Sequence, residues 1–303
     1  MLSALRRQGC RPAQIARQLG RHRSTIGREL RRNASRWGGW YRASVAIEHT
    51  NGRRSRSRRN QRFTRVDLNL VDSLIRRQWS PEQVAGYLRR ARRLSISHAT
   101  IYRHIWTDLR CGGTLHQHLR GARKQRRKRY GAYDSRGRLA GKRHISERPI
   151  SIEGRRAIGH WEIDTVMGTG PDCLVSIVER KTGYVLIGKL EARTQAALTE
   201  RTVRLTRPCA RRVRTITADN GTEFHDYTTI ERATGVRFYF ATPHHAWERG
   251  TCENTNGLIR QYVPKGTSMA ALTQSGCDRI AETLNTRPRK RLAYRTPQEC
   301  FDA

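Results

Sequence analysis

HWEIDTVM (160–167), CLVSIVE (173–179) and YVLIGKL (184–190) are the stretches on which the fold of this chain turns. Each is rich in β-branched, aromatic and aliphatic residues and is bounded by turn formers, 168–172 after the first and Lys181-Thr182-Gly183 before the third. Short runs of this kind between such breaks read as consecutive antiparallel strands. Downstream, 192–206 carries helical apolar spacing through Ala196, Ala197, Leu198 and Val203, and VRTITA (213–218) is a fourth strand. A helix over 223–234, a short strand at 236–240, a helix over 247–262 and a last helix near 276–286 follow, with a basic tail behind. Antiparallel strands first, then alternating helix and strand, predict an α/β domain over 151–303. Its expected form is a mixed five-stranded sheet flanked by helices.

Carboxylates fall at telling places in that pattern. Asp164 lies in the first strand, Asp219 ends the fourth just before Asn220-Gly221, and Glu253 lies on the helix after the fifth. Ligands and chemistry gather at the C-terminal edge of such sheets. Hard divalent cations take oxygen ligands, and two-metal phosphoryl transfer needs carboxylates converging on ions about 3.5–4 Å apart. Glu162 shares the strand face of Asp164 and is left unsettled as a rival to it, a supporting role being the minor reading. Glu223 reads as a first-turn helix residue and Glu248 as surface. The His244-His245 pair, at the mouth of the same region, reads as a phosphate contact or structural pair before a metal ligand.

The front half is a different kind of protein. The chain of 303 residues carries a net charge of +36, and residues 1–150 hold 38 basic against 8 acidic residues. Charge on this scale fits counterion release from a polyanion. PAQIARQLGRHRSTIGRELRR (12–32) has one apolar stripe through Ile15, Ala16 and Leu19, a break at Gly20 and a second through Ile26 and Leu30. That is a helix-turn-helix, with Arg23, Ser24, Gly27, Arg28 and Arg31 facing outward toward a DNA major groove. Residues 80–105 repeat the pattern with a longer connection. Ser80, Pro81 and Gln83 form a capping box with Trp79 as a staple onto Val84, and Ser97 caps a second helix offering His98, Tyr102 and Arg103. Tracts at 52–65 and 120–129 hold seven basic residues each and read as arms along phosphates or as linkers, a nuclear-localisation signal being the rival for the second. The expected division is a first helix-turn-helix unit at 1–50, a basic linker at 51–65, a second unit at 66–110, a basic linker at 111–150, and the α/β domain at 151–303.

Several classes are excluded. The seven cysteines are scattered with no C-x-x-C pair, so neither a zinc knuckle nor a disulfide frame is expected, which suits a reducing cytosol. Arg6 and Arg7 arrive before any apolar run of signal-peptide length, and no segment approaches a membrane span, so a cytoplasmic protein is expected.

With these residues in view, the chain resembles the insertion-sequence-thirty family of bacterial DDE transposases. The resemblance is carried by GHWEIDTVMG (159–168), IVERKTGYV (177–185), TITADNGTEF (215–224), ATPHHAWERGTCENTNGLIRQYVPKGTSM (241–269) and LNTRPRKRLAYRTPQECF (284–301). WSPEQVAGYL (79–88) and the first helix-turn-helix extend it over nearly the whole chain, and 33 residues separate Asp219 from Glu253, the family's spacing. The resemblance implies a ribonuclease-H-like catalytic domain with Asp164, Asp219 and Glu253 as catalytic triad and metal ligands. Mg²⁺, with Mn²⁺ as substitute, is implied as two ions per site, and no other cofactor. Arg260, and with it Asn256 and Gly257 on the same helix face, are implied to meet the DNA. The implied partners are double-stranded DNA, as terminal inverted repeats and target, and further copies of the chain, as a homodimer or higher oligomer in a synaptic complex. Two other readings stay open: a nuclease of the same fold that cuts without joining, and a DNA-binding regulator with a vestigial nuclease domain.

Overall fold

The computed structural model describes residues 1–35, 40–56, 63–121, 141–243 and 245–303. The chain divides into two compact units, Met1–Asn69 and Leu70–Ala303. The first is all helical: α1 (Leu2–Arg7), α2 (Pro12–Gln18), α3 (Arg23–Asn33) and α4 (Ala43–Arg56). Its core is small, with Ile15, Ala16 and Ile26 buried and Leu2, Leu5, Cys10, Leu19 and Leu30 packed around them. Gly20, at φ +58°, makes the turn between α2 and α3, a backbone conformation open to glycine without strain. Neither helix has a Ser-like cap. The Gln14 side chain accepts the Arg11 N–H at 2.8 Å, and the His22 ring accepts that of Ser24 at 3.2 Å. α4 was not apparent from apolar spacing. Its end is held instead by polar contacts, with Arg53 donating to Asn33 Oδ1 at 2.5 Å and to the Arg32 carbonyl at 3.2 Å.

The division falls within α5 (Arg65–Arg76), a second helix that the sequence reading left unassigned. After it come α6 (Pro81–Arg90) and α7 (His98–Arg110). The capping box of α6 is in place: Ser80 Oγ accepts the Gln83 N–H at 3.2 Å and Gln83 Oε1 accepts the Ser80 N–H at 2.9 Å. Ser97 caps α7 through the Thr100 N–H at 3.2 Å. Trp79 is buried and meets Tyr87 edge-on at 5.0 Å. This helix pair belongs to the same compact unit as the sheet and is fastened to the C-terminal segment. Arg90 pairs with Glu299 at 2.8 Å, Lys290 pairs with Glu82 at 2.7 Å, and the Tyr294 ring lies so close over Gly86 that a β-carbon would overlap it at 2.2 Å. The basic tract 120–129 lies outside the described residues except for Arg120 and Gly121, as do residues 57–62 of the earlier tract.

The sheet comprises β1 (His160–Met167), β2 (Cys173–Glu179), β3 (Val185–Leu190), then, after α8 (Gln195–Thr206), β4 (Thr215–Ala218) and, after α9 (Tyr227–Thr234), β5 (Arg237–Phe240). The strand order is β3-β2-β1-β4-β5, antiparallel across β1, β2 and β3 and parallel across β1, β4 and β5. This is the expected mixed sheet. α10 (Gly250–Ile259), α11 (Gln274–Asn285) and α12 (Pro297–Asp302) complete the chain. Strand side chains alternate between two cores. Trp161, Ile163, Val175 and Ile177 join Leu198, Ile230 and Phe301 on one face. Val166, Leu174, Val178 and Ile187 join Cys252, Ile259, Cys277 and Leu284 on the other. Each face is thus covered by helices.

Three local expectations are corrected. The helix foreseen over 247–262 is a 3-10 turn, Ala246–Arg249, followed by α10, and that foreseen over 223–234 is a 3-10 turn, Thr222–Phe224, followed by α9. The basic tail folds back as α12, because Phe301 is buried against Trp161 and stacks on Tyr184 at 4.3 Å. Within the basic stretch before the sheet, residues 143–152 dock onto it: Phe240 N–H bonds the Arg143 carbonyl at 2.9 Å, and buried Arg148 donates to Thr217 Oγ1 at 2.9 Å. Among the described residues, no helix is long and apolar enough to cross a membrane.

Candidate active site

β1 and β4 run parallel with Glu162 opposite Thr217. Extending that register by two residues brings Asp164 level with Asp219, just past the end of β4. The side chains meet one cation: Arg249, in the 3-10 turn before α10, lies 3.5 Å from Asp164 Oδ1 and 3.3 Å from Asp219 Oδ2. Its Nη1 also donates to the Ile163 carbonyl at 3.2 Å, while its buried Nε has no partner among the described residues. Burial pushes the Asp164 carboxyl above its ordinary value; Arg249 pulls it down and Asp219 pushes it up further. Burial opposes the charge on Arg249, but Asp164 and Asp219 together hold its pKa above the ordinary arginine value. Sequence reasoning missed Arg249. Its one visible sign was its position four residues before Glu253, one helical turn away.

Each carboxylate is also oriented. Asp164 Oδ1 accepts the Thr165 N–H at 2.9 Å and Oδ2 accepts the Asn256 amide at 2.8 Å, and Asn256 in turn accepts from Ser176 Oγ at 2.7 Å. Asp219 Oδ1 accepts the Gly221 N–H at 2.9 Å, fixing the turn after the strand. A β-carbon at Gly221 would lie 2.4 Å from Glu223 Oε2. Glu223 is buried and receives Arg193 at 2.6 Å and Thr165 Oγ1 at 2.9 Å, so it is more than a first-turn residue.

Glu162, left unsettled by its strand position, takes a supporting place. Fully buried, it pairs with Arg180 at 3.1 Å and accepts the Cys252 N–H at 2.8 Å, which pins the first turn of α10 to β1. A carboxylate suits the positive end of a helix. Glu248 accepts both the Thr242 N–H at 2.7 Å and its hydroxyl at 3.0 Å. His245 pairs with Glu248 at 3.3 Å and stacks on exposed Trp247, whereas His244 lies outside the described residues.

The structure brings Asp164 and Asp219 together. Glu253 is exposed on α10, and among the described residues no three His, Cys, Asp or Glu are grouped so as to hold a metal ion. Asn256 turns inward to Asp164 rather than outward to a substrate, because α10 packs against β1 and β2. Arg260 caps α10 and donates to the Met167 carbonyl at 2.7 Å. Arg23, Ser24, Arg28 and Arg31 are exposed on α3, as are His98, Tyr102 and Arg103 on α7.

A family model described as a helix-turn-helix domain matches residues 2–33. The transposase for insertion sequence element IS4351 of Bacteroides fragilis is 38% identical over 288 residues, covering 95% of this chain and 88% of its own. The transposase for IS1086 of Cupriavidus metallidurans is 39% identical over 296 residues, 93% of this chain and 86% of its own. Transposase InsI for IS30A of Escherichia coli is 38% identical over 308 residues, 95% of this chain and 78% of its own. A chain in the cryo-EM structure of the simian T-cell lymphotropic virus intasome with PP2A regulatory subunit B56 gamma matches at TM-score 0.41 and 15% identity, over 48% of this chain and 55% of its own. With a helix-turn-helix front and a mixed five-stranded sheet, these transposase relatives support a polynucleotidyl transferase-type enzyme. Nearly full-length identity narrows the class, and the chain belongs to the IS30 family of insertion-sequence transposases.

Proposed function

We propose that this transposase grips the inverted-repeat ends of its element through its helix-turn-helix units. At Asp164, Asp219 and Glu253 it then cuts a strand and joins the freed 3′-OH to target DNA, with two Mg²⁺ ions and Mn²⁺ as substitute. The observation that carries this reading is the placement of Asp164, within β1, level with Asp219, just past the end of the parallel neighbour β4, the two sharing the Arg249 guanidinium. Two carboxylates this close, one of them largely desolvated, need positive charge between them. Their oxygen donors fit a hard divalent cation, and the guanidinium of Arg249 stands where that charge belongs. Asp164 and Asp219 would hold the metal, with Glu253 completing the set. Divalent cations there supply Lewis-acid activation of the attacking oxygen and charge stabilisation of the leaving 3′ oxygen.

The chain's own residues do the positioning. Asn256 fixes the Asp164 rotamer, Glu162 holds the first turn of α10 against β1, and Gly221 fixes Asp219. Arg260, partly exposed beside the end of β1, supplies positive charge for the DNA strand. Because the freed 3′-OH is itself the nucleophile of joining, no Tyr or Ser on the protein is required. The working form in this reading is a homodimer or higher oligomer bridging two ends, in the bacterial cytoplasm. Asp164→Asn, Asp219→Asn and Glu253→Gln should each slow cleavage of an end-bearing duplex at least about a thousandfold, some 4 kcal/mol of barrier at ~1.36 kcal/mol per tenfold. Gel-shift binding to the same duplex should stay nearly unchanged. Wild-type cleavage by Asp219→Asn would overturn the assignment, and cleavage without joining by the unaltered protein would favour a nuclease.

A further inference from the structure

Arg249 is held by the two carboxylates proposed as metal ligands, yet held loosely. Its contacts of 3.5 and 3.3 Å exceed the roughly 2.7–2.9 Å of a well-formed charge-assisted hydrogen bond. Its Nε is buried without a partner among the described residues, so the planar fork is only partly satisfied in this position. The residue is itself buried on the carboxylate side, with a side-chain exposure of 12%. It stands one residue before α10, the helix that carries Glu253 and Asn256. Burying a guanidinium is costly unless carboxylates face it, and here Asp164 and Asp219 do so.

We propose that Arg249 is a placeholder for the divalent cation: it neutralises Asp164 and Asp219 in the metal-free protein and must leave them when the cation loads. This rests on the reading of Asp164 and Asp219 as metal ligands. The physical argument is exclusion. A guanidinium and a divalent cation cannot share the same oxygens without placing like charges a few ångströms apart in a poorly solvated site. Without Arg249, the two carboxylates would repel each other before loading; with it, the pair stays assembled at the strand ends. Arg249 is therefore a positioning residue, and it competes with the metal it prepares for. Glu253 is exposed on α10. The loosely satisfied fork makes the exchange accessible.

The test is Mn²⁺ binding to the full-length protein without DNA, followed by electron paramagnetic resonance of free Mn²⁺, so that catalysis plays no part. Wild-type protein should show a saturable site that Asp219→Asn abolishes. Arg249→Met should bind Mn²⁺ about tenfold more tightly, within the roughly 5- to 150-fold span of coupled sites. Its metal-free melting temperature should fall, and saturating Mn²⁺ should restore more of it than in wild type. Arg249→Lys, which keeps the charge but lacks the two-pronged reach, should fall between. Equal or weaker Mn²⁺ binding by a folded Arg249→Met, with the site still lost in Asp219→Asn, would overturn the placeholder alone. Mn²⁺ binding untouched by Asp219→Asn would instead overturn the metal-ligand reading. Should Arg249→Met fail to fold, the Arg249 Nε resonance of wild type, assigned from Arg249→Lys, decides. It should shift on Mg²⁺ addition with the same midpoint as binding, and a resonance indifferent to saturating Mg²⁺ would overturn the proposal.

Discussion

Arginine does opposite work on the surface of the first compact unit and in the interior of the second. Residues 1–69 hold 18 Arg against Glu29, Glu48 and Asp67 alone, and Arg21, Arg23, Arg28, Arg31 and Arg32 are exposed on or beside α3. In Leu70–Ala303, Arg148, Arg180 and Arg249 lie inside, and each faces carboxylates drawn from other elements. Outward arginines leave the fold indifferent to them and offer charge to a polyanion. Inward ones are part of the fold and offer little to a partner. A count of basic residues therefore measures DNA affinity only where no carboxylate is within reach.

The contrast can be broken most forcefully at Arg180, which pairs with Glu162 at 3.1 Å and Glu153 at 3.3 Å. Arg180→Met strands a buried carboxylate and should cost about 3–5 kcal/mol of stability. The double variant Arg180→Met with Glu162→Gln should recover much of that loss in denaturant melts. A near-silent Arg180→Met would mean the interior arginines are as dispensable to the fold as the exterior ones. Arg28→Ala with Arg31→Ala should do the reverse, leaving the melt unchanged while weakening end binding. Each side chain that reads a base should be worth about 1–3 kcal/mol, and each that meets a phosphate should take about 0.9 off the log–log salt slope. Unaltered affinity together with an unaltered salt slope in both single variants and the pair would remove α3 from the interface. Smallest is Ser80→Ala, which deletes one cap of α6 and should cost about 1 kcal/mol by equilibrium unfolding. His22→Ala in the first unit should cost less, since a ring nitrogen at 3.2 Å is the weaker cap.

The sheet was legible because strand composition and turn residues lie next to each other in the chain. So were the places of Asp164, inside the first strand, and of Asp219, just past the end of the fourth. What escaped is what depends on distant partners. Arg249 reaches Asp219 across 30 positions, and no periodicity announces that. A helical wheel grouped Asn256 with Glu253 and Arg260 on a DNA-facing side of α10 and could not say that Asp164 and Ser176 would take its amide. α12 read as tail because its apolar content is slight; a single residue, Phe301, carries it into the core. α4 escaped for a related reason, as Arg53 and Asn33 hold it through polar contacts between helices.

Gly221 has a consequence for how working copies of such an element can vary. A side chain at this position strikes the Glu223 carboxylate, whose other oxygen holds Arg193 and Thr165. The N–H of the same glycine sets Asp219. Among copies that still move, a change at Gly221 should therefore occur only with a matching change at Glu223, whereas the exposed arginines of α3 should vary one at a time.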